Sequence, residues 1–334
     1  MFDISRAAIS KKKGGKQIMM ENEAYLFVHF KEKYTPDGEQ VYFGLSRDGF
    51  TWEQTNGGKP ILWSRQGDEG VRDFTITRTK DGRFVILATD LSLANHFKGK
   101  YQNSWDIVNH EGSKSFSRWE SGDLIHWSSQ SMVKIVDDSF GCAWAPDIIY
   151  DEAAGDYMVH WSSYHAGEPN MAIYYARTKD FLSFSVPQLL CRREEGQIID
   201  SNIVYHDGWY YRFIKDNRPD GHIYLEKGKT LNGEYESVPA FDEEMAKLEP
   251  GQYEAPTCFQ MANGQWCVML DFYGCDKNKQ GYVPFVSDDI ASGRFVRSDA
   301  KFSFPYGFKH GTVLPITIAE YNRLKKAYPN ISER

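Results

Sequence analysis

A chain of 334 residues with 39 Lys and Arg set against 46 Asp and Glu carries a formal charge of −7 at neutral pH. Binding nucleic acid requires a basic face that neutralises phosphates, so that class of partner is excluded. No apolar run approaches the roughly 20 residues of a membrane span, which excludes a spanning helix.

Residues 1–20 hold Lys11-Lys12-Lys13 with no apolar segment behind them. The layout of a secretory leader is missing, so this N-terminal extension is expected on a cytoplasmic protein, or on a secreted one already trimmed. Ala24 to Phe30 and Gln40 to Leu45 then read as two strands, and Arg47-Asp48-Gly49-Phe50-Thr51-Trp52 as a tight turn into a third. From Asp73, DFTITRTKDGRFVILAT reads as strand, hairpin and strand with its turn glycine at Gly82. An insertion follows, roughly Leu93 to Ser113, carrying His96, Tyr101, Trp105 and His110. Long irregular segments in compact folds are ordinarily functional or mobile, which makes this one a candidate wall of a cleft.

The strand, turn and strand of Asp73 return from Asp147 (DIIYDEAAGDYMVHWSS), from Asp200 (DSNIVYHDGWYYRFIK) and from Glu254 (EAPTCFQMANGQWCVMLDF). Each copy is followed by a second hairpin, marked by Asp123 to Trp127, Asp180 to Phe184, Asn232 to Tyr235 and, more loosely, Ser287 to Phe295. His310-Gly311-Thr312-Val313-Leu314-Pro315-Ile316 is a strand with no hairpin after it, only a short helical tail within residues 319–334. The anchors at 73, 147, 200, 254 and 310 stand 74, 53, 54 and 56 residues apart, close to the roughly 40–50 residues of a four-stranded propeller blade. The first unit lacks an inner strand and the last strand lacks a blade. Together they predict an all-β, five-bladed β-propeller over residues 1–334 as a single domain, its ring closed by the C-terminal strand pairing in the N-terminal blade.

Five cysteines (Cys142, Cys191, Cys258, Cys267 and Cys275) are odd in number and lack CxxC spacing, so neither a zinc site nor a full disulfide framework is indicated. Aromatic residues form 15% of the chain, which suits packing between blades and also a cleft that stacks sugar rings. No phosphate-binding loop or dinucleotide fingerprint is present.

The innermost strands of a propeller crowd round its axis, so Asp73, Asp147, Asp200 and Glu254 are expected to converge on one pocket. A lone carboxylate is ordinarily a solvated charge. Four at one repeated position read differently, because carboxylates held close raise one another's pKa and a carboxyl pair is what glycoside hydrolysis requires.

The ordered set Arg72-Asp73-Phe74, Trp144-Ala145-Pro146-Asp147, Ile199-Asp200, Glu254-Ala255-Pro256 and His310-Gly311-Thr312-Val313 resembles glycoside hydrolase family 43, over about Ala24 to Tyr328. The resemblance implies cleavage of arabinofuranosyl, xylosyl or related galactofuranosyl linkages with inversion, on an oligosaccharide or polysaccharide side chain. It makes Asp73 the general base, Glu254 the general acid and Asp200 the carboxylate that tunes and orients the acid. Asp147 receives no proton-transfer role and is expected to be structural or to stand at the pocket rim. Arg72, Trp144 and Arg212 are candidate sugar contacts; their alternatives are surface charge for the arginines and a core ring for the tryptophan. No cofactor is required, but the resemblance places His310 beside a central calcium or sodium ion; a buried histidine meeting one hydrogen bond is the plainer reading. Phe74 stands where the family usually has Pro, and Ala255 where it usually has Gly. Three other readings compete. A fructan-cleaving relative would need an Asn-Asp-Pro nucleophile motif and a Glu-Cys acid, a phosphorolytic one a basic cluster beside Glu254, and a non-catalytic sugar-binding propeller would not need all three carboxylates.

Overall fold

Runs of β-branched and aromatic residues separated by turn residues pair here as antiparallel ladders, and a computed structural model describes them for residues 23–31, 35–217, 222–273, 281–305 and 307–330. The expected extension over 1–20 and Cys275 lie outside the described residues. In chain order the strands are β1 (Glu23–His29), β2 (Tyr42–Ser46), β3 (Trp52–Gln54), β4 (Val71–Arg78), β5 (Phe84–Asp90), β6 (Ser115–Ser121), β7 (Ser131–Lys134), β8 (Trp144–Asp151), β9 (Asp156–Ser163) and β10 (Ala172–Thr178). There follow β11 (Gln188–Cys191), β12 (Ile198–His206), β13 (Trp209–Asp216), β14 (Ile223–Gly228), β15 (Tyr235–Ser237), β16 (Gln252–Gln260), β17 (Trp266–Tyr273), β18 (Gly281–Ser287), β19 (Val296–Arg297) and β20 (Gly311–Thr317). The described residues form five four-stranded sheets. Four run in simple sequence outward from β4, β8, β12 and β16, and the fifth has the order β20-β1-β2-β3. The C-terminal strand is thus the inner strand of the first blade, paired with β1 from Glu23 opposite Thr317 to His29 opposite Gly311.

Each seam between neighbouring blades has its own apolar cluster, because successive side chains of a strand point to opposite faces. On β5, Phe84, Ile86 and Ala88 join the seam with the first blade, while Val85 and Leu87 join the seam with the third. Both faces are covered, so β5 is buried throughout and shows no polar alternation. The outer turns share one device. Ser46, Ser121 and Thr178 each accept, at the side-chain oxygen, the N–H three residues on, and Asp48, Asp123 and Asp180 each accept two further N–H groups. The helix α4 (Ile318–Ala327) starts with a capping box between Thr317 and Glu320, whose carboxylate also receives both Arg78 terminal nitrogens at 2.8 Å.

Round the axis, polar side chains join all five blades. Thr75 donates to Asp147 at 3.0 Å and Asn202 donates to Asp147 at 2.8 Å. The Cys258 amide donates to Asn202, the Val313 amide to Thr257, and the Thr312 hydroxyl to the Phe74 carbonyl. Asp147 is therefore a structural acceptor in this ring. Burial pushes its carboxyl up to about 6, against the hydrogen bonds it accepts.

Candidate active site

Four inner strands carry a bulge at the same place, where the ladder register slips between Arg72 and Thr75, Trp144 and Asp147, Ile199 and Ser201, and Glu254 and Thr257. In each the bulged residue is left-handed: Asp73, Ala145, Asp200 and Ala255 have φ of 49°, 48°, 50° and 58°. A bulge bends its strand and re-aims a side chain at the end of a sheet. Aspartate tolerates the left-handed region better than most residues, and glycine pays nothing there. This is the physical meaning of the glycine that Ala255 replaces.

The bulges correct the expectation that the four acids are equivalent. Asp73 and Asp200 occupy the bulge itself, Glu254 lies one residue before it, and Asp147 two residues after it, among the ring-forming Thr75, Asn202 and Thr257. Asp73, Asp200 and Glu254 line one cavity of about 410 Å³, together with Arg72, Trp144 and His310. Asp147 does not line it, because the two-residue offset puts its side chain at the level of the axial ring.

His310 Nδ1 lies 3.1 Å from Asp73 Oδ1, and the nearby Thr89 hydroxyl accepts the Ala145 amide at 2.8 Å. Burial raises the Asp73 carboxyl, but His310 and Arg72 outweigh it and hold the group below the usual carboxylate range. Burial opposes charge on His310 too, yet Asp200, Asp73 and Glu254 push it up to about 9. Asp200, buried and facing the charges of Glu254 and Asp73, rises to about 6. Glu254 goes the other way. Burial raises it, but Lys215, Lys309 and His310 bring it below its ordinary value. The repulsion expected between Asp200 and Glu254 is present and raises Asp200, while at Glu254 the neighbouring cations outweigh it.

Lys215 Nζ is 3.1 Å from Glu254 Oε2 and 2.7 Å from the Tyr273 hydroxyl, and Lys309 Nζ is 2.6 Å from Asp271. These lysines were not apparent from sequence. Lys215 pairs across the ladder with Ile199, and Tyr273 with Gln252, so each sits as far beyond its hairpin turn as the pocket residues precede it. That symmetry is the signal that could have found them. Glu39, also missed, sits 3.7 Å from Arg72 and accepts from Ser92 and from the Leu93 and Ala94 amides, fixing the start of the insertion.

The insertion forms a pocket wall. Its helices α1 (Leu93–His96) and α2 (Trp105–Glu111) are each capped by a serine, and Leu93, Trp105 and Asn109 face the cavity. Trp105 is 48% exposed and meets Trp144 edge-on, centroids 6.2 Å apart, which makes an aromatic corner. Arg212, expected to touch sugar, does not line the cavity. It lies buried with Nη2 2.8 Å from Glu226 and its guanidinium 3.9 Å above the Tyr235 ring, because alternation along β13 turns it away from the face that carries Lys215.

No group of three or more His, Cys, Asp or Glu side chains among the described residues is arranged to hold a metal ion, and His310 Nδ1 is engaged by Asp73. These residues do not fit a directly ligated calcium or sodium ion, and the chemistry proposed for the pocket uses none. No helix among the described residues is long and apolar enough to cross a membrane.

Five blades with three carboxylates gathered in one axial pocket are the arrangement that the resemblance to glycoside hydrolase family 43 implies. Residues 21–322 match the family 43-related group described as "Probable glycosyl hydrolase domain", and the chain belongs to that family. An alpha-L-arabinofuranosidase of Bifidobacterium longum subsp. longum is 26% identical over 304 residues, 80% of this chain; the chain spans only 27% of that protein's length. Among solved structures, the alpha-L-arabinanase of Cellvibrio cellulosa complexed with arabinohexaose superposes with a TM-score of 0.58 at 13% identity, covering 89% of this chain and 97% of the other. A family 43 protein of Bacillus licheniformis gives 0.57 at 16% identity, covering 86% and 54%. At these identities the structures are similar in fold alone.

Proposed function

We propose that this protein hydrolyses a glycosidic bond to an arabinofuranosyl, xylosyl or related sugar with inversion at the anomeric carbon. The observation that carries the reading is the convergence of Asp73, Asp200 and Glu254 on one pocket from three different blades. Asp73, held ionised by His310 and Arg72, draws a proton from the attacking water. Glu254, in its protonated form, delivers a proton to the departing oxygen. Asp200 orients this end of the site, since its Oδ2 accepts the amide of Ala255, the residue after the acid, at 3.2 Å. The aromatic corner of Trp105 and Trp144 supplies a face for a sugar ring. The arabinofuranosidase of B. longum supports arabinofuranose as the first sugar to test.

Aryl glycosides of arabinofuranose, xylopyranose and galactofuranose, offered in turn to the purified protein, test the ring, and NMR of the first product anomer tests the stereochemistry. Retention of configuration would contradict single displacement. Glu254→Gln tests the acid: turnover of an unactivated oligosaccharide should fall by about 10²–10⁴, and that of a nitrophenyl glycoside far less, because a nitrophenolate hardly needs protonation. An equal loss on both would remove Glu254 from the role.

A further inference from the structure

We propose that Lys215 is a positioning residue for Glu254: its buried ammonium, shared between the Glu254 carboxylate and the Tyr273 hydroxyl, sets the acidity of the group that protonates the departing sugar oxygen. The proposal rests on the assignment of Glu254 as the acid.

The geometry is specific. Lys215 is 0% exposed, and a lysine is almost never fully buried unless paired. Its Nζ makes two side-chain contacts, 3.1 Å to Glu254 Oε2 and 2.7 Å to the Tyr273 hydroxyl, with the Tyr273 ring centroid at 4.9 Å. The ammonium thus bridges the Glu254 carboxylate and the Tyr273 hydroxyl. Lys309, which lines the pocket, is held by Asp271 at 2.6 Å. Among the described residues Lys215 is the lysine set at hydrogen-bond distance from the acid, and the ladder that places it opposite Ile199 also fixes it beside Asp200.

The charged and titratable groups round Glu254 come from every neighbouring element. They are Lys215 on β13, Tyr273 and Asp271 on β17, Asp200 on β12, Asp73 on β4, Tyr282 on β18, and Lys309 and His310 ahead of β20. Asp200 favours the protonated acid and Lys215 the carboxylate. Of the cations acting on Glu254, Lys215 has the largest effect.

During cleavage the proton leaves the Glu254 hydroxyl for the glycosidic oxygen as the bond from that oxygen to the anomeric carbon breaks. Water forms the new bond to carbon and yields its proton to Asp73. Glu254 ends as a carboxylate, and solvent later restores the two starting protonation states. An ammonium that stabilises the carboxylate makes Glu254 a stronger acid toward a poor leaving group, while a smaller fraction of it carries the proton at neutral pH. Lys215 thus exchanges activity at high pH for proton-donating power.

The test compares wild type with Lys215→Met and Tyr273→Phe. One readout needs no turnover: the ¹³C-carboxyl titration of Glu254, assigned by its absence in Glu254→Gln. The other is the alkaline limb of the kcat/KM profile. In Lys215→Met both should move upward together by about one pH unit or more, the usual effect of removing an opposite charge at this distance. Turnover of an unactivated oligosaccharide below the limb should fall roughly tenfold, with a smaller loss on an aryl glycoside. Tyr273→Phe keeps the ion pair and should shift both readouts in the same direction by less, which preserves the test should the lysine variant fail to fold. If neither readout moves in a folded variant, the role of Lys215 is overturned and the hydrolase reading stands. If the carboxyl titration moves and the rate limb does not, Glu254 is not the acid, and both fall.

Discussion

Replacing His310 with Gln keeps a donor against Asp73 and removes the charge, so the pH dependence of stability isolates what the imidazolium contributes. The His310 pKa of about 9 in the folded protein, against an ordinary 6.5, corresponds to about 3 kcal/mol of stabilisation. Because the folded value is raised, this contribution is complete below pH 6.5 and is lost as pH rises through about 9. Urea denaturation of wild type and His310→Gln at intervals from pH 6 to pH 10 measures it, since groups that do not interact with His310 cancel in the difference. The stability gap should shrink by about 3 kcal/mol across that range, on the order of 4–5 °C in Tm for a chain of this size. Lost packing would add an offset that does not vary with pH. A gap constant from pH 6 to pH 10 would refute the view that His310 is an imidazolium paired with Asp73.

Asp73→Asn should retain the fold, with a melting temperature lowered by loss of the His310 ion pair, and keep affinity for the product sugar, measured by calorimetry, while turnover falls by about 10² or more. Trp105→Ala should raise KM for an oligosaccharide roughly 2- to 10-fold, the worth of about 0.5–1.5 kcal/mol of ring contact, with kcat nearly unchanged; a fall in kcat alone would place Trp105 outside the sugar-binding surface. Arg212→Met should cost about 3–5 kcal/mol in denaturation, toward the lower end because Arg193 still pairs with Glu226, and should leave sugar affinity untouched.

The blade repeat was legible because its signals are local. A turn glycine at Gly82, Gly155, Gly208 or Gly264 needs only its own positive φ, and the aspartates of the outer turns bond to amides two or three residues away. The orphan strands at the two ends were legible for a related reason: an unpaired inner strand and a blade lacking one satisfy each other's backbone groups, as β20 and β1 do. Membership of a family whose chemistry uses carboxylates followed from ordered motifs that survive in the chain.

What the tertiary structure decided lies in the residue-level offsets and in the contacts across seams. The sequence places four acids at similar repeat positions, but a bulge adds one residue to each of the four strands that carry them, and the rise of a strand, roughly 3.3 Å per residue, turns a two-residue offset into a different level along the axis. Asp147 consequently joins a structural ring while Asp73 and Asp200 enter the pocket. Lys215, Tyr273, Lys309 and Glu39 come from second strands and loops distant in sequence, and no local pattern distinguishes a lysine that will be buried against a carboxylate from one that will face water. The direction in which Glu254 titrates was decided there too. Counting carboxylates in the sequence predicts repulsion and a raised pKa, whereas the folded pocket sets an ammonium 3.1 Å from the acid, and there the cations prevail.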